Sequence, residues 1–130
     1  MKRMLLAIII GIVMLSTTAF AHSINFEWDR NTEVDMDHYV VYKCPSGTSC
    51  GVGSGRVVVG ASVPQPASGT VVDWTYSFTP PPGTEEIQYF ACTASDASGN
   101  ESGPSNIVNT RVDNKPPGNP GGLKILNIIP

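Results

Sequence analysis

The side chains able to do chemistry are few: two histidines, His22 and His38, three cysteines, Cys44, Cys50 and Cys92, and a scatter of carboxylates. No Gly-x-Ser-x-Gly elbow and no His-Asp pair stands ready to activate any of the many serines. No glycine-rich phosphate loop opens a helix, and Gly51 to Gly55 reads as a flexible turn. An N-terminal histidine chelates copper through its amine and ring when a second histidine lies nearby. His22 follows a small-x-small cleavage signal, Ala19-Phe20-Ala21, and so becomes such a terminus. A strand starting there carries the chain away before His38 is reached. A copper-binding protein is therefore the weakest of the functions considered, and no catalytic residue, metal or cofactor is assigned.

The cysteines suggest an address instead of a reaction. Cys44-Pro-Ser-Gly-Thr-Ser-Cys50 closes a short loop of turn formers. Its five-residue gap suits neither zinc nor a Cys-x-x-Cys redox pair, and in an oxidising compartment it predicts a Cys44–Cys50 disulfide. Cys92 lies among apolar residues and reads as a buried free thiol. Export is expected on independent grounds. Lys2 and Arg3 precede an apolar run from Met4 to Leu15, followed by Ser-Thr-Thr and the Ala-x-Ala step, which is a bacterial-type signal peptide over residues 1–21. The run is shorter than the roughly 20 residues that span a bilayer, so an uncleaved anchor is disfavoured. The expected location is periplasmic, cell-surface or secreted, with no membrane contact after cleavage.

The elements that hold these residues follow from composition. The chain has 130 residues, net charge −3, 41% hydrophobic and 15% charged residues, with 13 glycines and 11 prolines. Removal of residues 1–21 leaves 109 residues and, with Lys2 and Arg3 gone, takes the charge from −3 to −5. An acidic chain is a poor partner for nucleic acid. Glycine and proline at this frequency interrupt helices and favour an all-β domain with many turns. Period-two alternation marks strands at Ile24–Trp28 and Trp74–Phe78, and β-rich runs mark others at 39–42, 56–59, 87–94 and 107–112. Residues 61–70, with two prolines and a glycine, read as loop. Residues 113–122 read as a Pro/Gly linker and 123–130 as a short apolar tail.

Ile24-Asn-Phe-Glu-Trp-Asp29 with Tyr39-Val-Val-Tyr42, Trp74-Thr-Tyr-Ser-Phe78 with the Pro-Pro-Gly-Thr turn to Thr84, and Tyr89-Phe-Ala-Cys-Thr-Ala-Ser-Asp96 with the 98–106 segment form an ordered set. Together they resemble a bacterial fibronectin type III domain, over residues 24 to about 112. The resemblance implies an immunoglobulin-like antiparallel β-sandwich of two sheets, ABE and C′CFG, with Trp28 in the core. It implies no activity, because the fold hosts many functions. It also implies that the loop holding Asp29, Glu33, Asp35 and Asp37 shares a pole with the one holding Asp96 and Glu101. Those carboxylates can gather around calcium, which takes six or more oxygens, or cap turns by local hydrogen bonds; the second reading is preferred. Asn100-Glu-Ser102 matches a glycosylation sequon, which a bacterial chain leaves idle.

Three departures stand out. Gln88 takes the place of the tyrosine that ties down the E–F corner, and the Cys44–Cys50 loop is an addition. Strand A is missing before strand B, while Pro116-Pro-Gly-Asn-Pro-Gly-Gly-Leu123-Lys-Ile125 resembles a strand A placed after strand G. An open strand B edge invites another strand. The tail either folds back onto its own strand B, or inserts into a neighbouring subunit through Leu123, Ile125 and Ile128, or stays undocked. The expected function is a non-catalytic binding or adhesion module of the cell envelope for a protein or carbohydrate ligand. Its contact residues are sought in the loops at Ser46, Gly47, Thr48, Asn31, Glu33, Asn100 and Glu101. The alternative is a structural subunit, a homo-oligomer polymerising head to tail by exchange of the C-terminal strand.

Overall fold

The computed structural model describes residues 20–127. Residues 1–19, which hold nearly all of the expected signal peptide, and Ile128 of the tail lie outside them. Seven strands follow in order: β1 His22–Asp29, β2 Met36–Cys44, β3 Val57–Val58, β4 Val63–Pro64, β5 Val71–Phe78, β6 Glu85–Asp96 and β7 Val108–Asp113. Every pairing is antiparallel. One sheet is β1 and β5 alone. The other runs β3-β2-β6-β7, with β4 also on β2. The molecule is an immunoglobulin-like all-β sandwich. The segment 61–70 is not all loop, because Val63 and Pro64 pair with Tyr39 and His38. Proline is tolerated there because β4 is a two-residue strand at a sheet edge.

The alternation of β1 turns Ile24, Phe26 and Trp28 inward and Ser23, Asn25, Glu27 and Asp29 outward. In β5, Val72, Trp74 and Tyr76 face them. Opposite lie Tyr39 and Val41 of β2 and Phe90 of β6, each only 1–2% exposed. Aromatic contacts knit the layers: Trp28 meets Tyr39 edge-on with ring centres 5.3 Å apart, and Phe26 meets Phe90 at the same separation. Trp28 is thus part of the core, though only partly buried. Gly60 passes beneath the Trp74 ring with φ of 67°, and a Cβ there meets the ring at 2.6 Å. Any other residue would both strain the backbone and push the tryptophan out.

The corner between β5 and β6 is held without a tyrosine. Gln88 is buried but donates to Glu86 Oε1. The turn is fixed by Asn114, whose side-chain amide donates to the carbonyls of Pro80 and Pro81, and by Thr84 Oγ1 donating to Pro81 O. Asn114 also exchanges backbone bonds with this turn, donating to Thr84 O and accepting from Gly83 N. The chain is therefore anchored one residue beyond β7. From Lys115 to Asn127 it forms no strand, and Leu123, Ile125 and Leu126 are 98%, 85% and 89% exposed. The tail does not lie on β1 of its own chain.

Candidate functional site

The two histidines sit at opposite ends. His22 Nε2 lies 3.3 Å from the carbonyl of Asp113, and Asp113 pairs with Glu85 at the start of β6. His38 pairs with Ser95 near the other end of β6 and bonds Asp37 through Nδ1 at 2.7 Å. Ten steps along β6 separate Glu85 from Ser95, so no metal is shared between the two rings. Among the described residues no three His, Cys, Asp or Glu side chains converge to hold a metal ion.

The acidic loops do share a pole. Ala97 N donates to Asp35 O, and Asn31, Glu33, Asp35, Asp96, Asn100 and Glu101 line one hollow. Two of the carboxylates at its rim, Asp96 and Glu101, have structural partners. Asp96 Oδ1 accepts from the backbone N–H of Ser98 and Asn100, and its Oδ2 accepts from the Asn100 side chain. The Asn100 amide, first among these donors, holds the Asp96 carboxyl below its ordinary pKa. Glu101 Oε1 accepts from Tyr42 Oη at 2.7 Å, Thr93 Oγ1 at 2.8 Å and Arg56 at 3.1 Å. The Tyr42 hydroxyl, then Thr93, holds its carboxyl below the usual range. Asn31 is tied in as well, its N–H to Tyr39 Oη and its carbonyl to Gln65 Nε2. This pole is a knot of capped turns.

The disulfide between Cys44 and Cys50 is formed. With Ala91 it makes a small buried cluster against Tyr42, Tyr89 and Ile107, on the face of β6 that points away from the main core. Gly47 lies flat on the Tyr89 ring, where a Cβ comes within 3.0 Å. Ser46, half-buried, and Thr48, exposed, hydrogen-bond each other. Arg56 closes this face, its guanidinium 3.9 Å above the Tyr42 ring centre. The loop is a rigid cover on the larger sheet.

The least satisfied part of the molecule is the smaller sheet. Among the described residues nothing pairs with the outer edge of β1. Beside that edge, three open hollows lie end to end. The first is lined by Trp28, Asp29, Cys92 and the 102–106 segment, the second by Phe26, Trp28, Val41, Phe90 and Cys92, the third by Ile24, Phe26, Phe90 and Val108–Thr110. Shared walls make them one trough, parallel to β1 and floored by the main core. Its far bank is β7, the edge strand of the larger sheet. Cys92 is half-buried here, not sealed in the core as expected, because no strand covers it. Burial pushes its thiol pKa up, which favours the neutral thiol. The Trp28 indole N–H is buried without an acceptor.

A missing strand A was legible as an open edge. The far bank at Ser102–Asn106 and Val108–Thr110 was not, since which segment faces β1 across the sheets is a tertiary matter. A second feature also went unseen: Glu27 and Asp73 stand directly opposite in the β1–β5 register. Both are exposed, and neither has an ion-pair partner among the described residues. Like charges so placed destabilise a sheet. No family model, no curated protein and no solved structure matches this chain, so its site is read from its own geometry.

Proposed function

We propose that the chain is an exported, non-catalytic binding module that accepts an extended polypeptide segment as an added strand along β1. The unpaired β1 edge beside an apolar trough carries this reading. A free edge offers backbone donors and acceptors at a fixed repeat, and the trough offers seats for every second side chain. The disulfide fits an oxidising, extracytoplasmic compartment. The signal-peptide pattern and the resemblance to fibronectin type III domains support a role at the cell surface or in the periplasm. The pole loops, with Asp96 and Glu101 held in local hydrogen bonds, serve the scaffold.

Selection of displayed peptides on the purified full chain tests this. Enrichment of five- to eight-residue segments with alternating apolar positions is expected. Val108→Asp, an exposed change on the far bank, weakens their binding at least tenfold. The reading is overturned if nothing is enriched above an unrelated β-sandwich, or if Val108→Asp leaves binding unchanged.

A further inference from the structure

We propose that the strand received in the trough is residues 123–127 of a second copy of this chain, so that copies join head to tail. This rests on the strand-accepting reading above. The segment brings the right shape and charge. Leu123 and Ile125 alternate around Lys124, and all three apolar residues of the segment are almost fully exposed. An apolar run left in water and an open trough floored by Phe26, Trp28 and Phe90 are complementary surfaces on one chain. Antiparallel pairing that sets Lys124 opposite Glu27 puts Leu123 opposite Trp28 and Ile125 opposite Phe26. These are the two inward residues that line the middle hollow. Lys124 then faces outward beside Glu27, whose cross-strand neighbour is Asp73. The like-charged pair gains the cation it lacks.

The wider charge distribution agrees. Residues 22–113 carry four basic side chains (Arg30, Lys43, Arg56 and Arg111) against all 11 acids, whereas residues 114–130 carry Lys115 and Lys124 and no acid. Body and tail attract.

The geometry favours a second copy over the chain's own trough. β7 ends where β1 begins, with Asp113 O beside His22. To pair antiparallel with its own β1, the tail must first travel the full length of that strand and then reverse. From Lys115, whose N–H bonds the Asp113 carboxylate and whose ammonium pairs with Glu85, Leu123 is eight steps away, about 25 Å in polyproline form. The eight residues of β1 already span about 24 Å. Little is left for crossing the pole and turning back: Pro116, Pro117 and Pro120 stiffen the stretch before Gly121-Gly122, so any reversal falls at Gly122, with its φ of 71°, immediately before Leu123. Parallel entry would break with a fold in which every described pairing is antiparallel. One trough and one tail per chain, on different surfaces, make a contact that propagates instead of closing as a two-fold dimer.

The test is light scattering after size exclusion on the full chain, exported and purified, beside the L123D/I125D variant, whose changes fall on exposed residues. A synthetic peptide of residues 121–130 is titrated into each, read by the fluorescence of Trp28 and Trp74. The proposal expects a concentration-dependent ladder for the unmodified chain and association at least tenfold weaker for the variant. It also expects peptide binding to the variant, and threefold or weaker binding of a peptide carrying Lys124→Glu. A monomeric chain that refuses the peptide, while L123D/I125D accepts it, means the tail fills its own trough. That overturns the second copy but keeps the strand-accepting reading. A ladder untouched by L123D/I125D overturns the proposal in favour of another interface. A peptide that binds neither chain overturns the tail as occupant, and the displayed-peptide selection then decides the reading on its own.

Discussion

The two sheets of this sandwich stand in unequal states. The larger one, β3-β2-β6-β7 with β4, holds the tightly enclosed side chains. Tyr39, Val41, Phe90 and Val112 are 1–2% exposed, and the disulfide loop with Arg56 shields its outer face. The smaller one has two strands. Of its core-facing residues only Val72 is buried, while Ile24, Phe26, Trp28, Trp74 and Tyr76 are partly open. Two strands alone are marginal in water. The smaller sheet persists because the aromatic residues it turns inward pack on the larger one. The contrast is the reason the strand-accepting role is proposed for the sheet that is short of a strand.

The contrast has measurable consequences. Phe90→Ala removes a fully enclosed ring of the larger sheet and lowers unfolding free energy in urea by about 3–5 kcal/mol. Phe26→Ala, measured on the monomeric L123D/I125D background, costs about half of that, because its ring is already partly in water. Equal losses at the two sites would remove the contrast.

Loss of the disulfide comes next. Cys44→Ser with Cys50→Ser opens a loop of sequence separation 6, for which chain entropy predicts about 2 kcal/mol. The loss is confined to the larger sheet, so hydrogen exchange should rise across β2 and β6 and hold steady in β1. Rising exchange in β1 instead would mean that the loop supports the whole sandwich.

Glu101→Gln removes the charge that Tyr42, Thr93 and Arg56 share, and costs about 1–2 kcal/mol at pH 7. The folded-state pKa of Glu101 is depressed, so its contribution is present above the ordinary carboxylate value near 4.5 and is lost as pH falls through the lower, folded value. The gap between parent and variant should therefore close in acid. A gap that stays constant from pH 7 to pH 2 would assign the effect to shape, not to charge.

The smallest expected effect lies on the smaller sheet. Asp73→Lys turns a repulsive pair with Glu27 into an attractive one and stabilises the monomeric background by about 0.2–1 kcal/mol, seen as a higher melting temperature. In the assembling chain the same change puts a cation near Lys124 and weakens association. Opposite signs in the two backgrounds would sharpen the assignment of this face to the donated strand.

Much of this was legible in order along the chain. Alternation at Ile24–Trp28 and Trp74–Phe78 marked β1 and β5, and Cys44 with Cys50 predicted their own bridge, because five intervening residues of turn formers leave the sulfurs close. β4 was hidden because Val63-Pro64 is too short to show a period. The half-burial of Cys92 was hidden because its apolar neighbours in sequence do not supply its cover; a missing strand from elsewhere would. The corner anchor at Asn114 was also hidden, since it acts on residues more than thirty positions away.

The sequence by itself determined the strands other than β4, the inward faces of β1 and β5, the disulfide and the presence of a strand-like tail after the last strand, because each is a local pattern of period, spacing or turn chemistry. The tertiary structure decided what those patterns mean together. Register set Glu27 against Asp73, sheet packing laid β7 across from β1 to make a trough, and the anchoring of Asn114 shortened the tail's reach. These are relations between segments distant in sequence, fixed by how two twisted sheets share one core, and no local pattern encodes them.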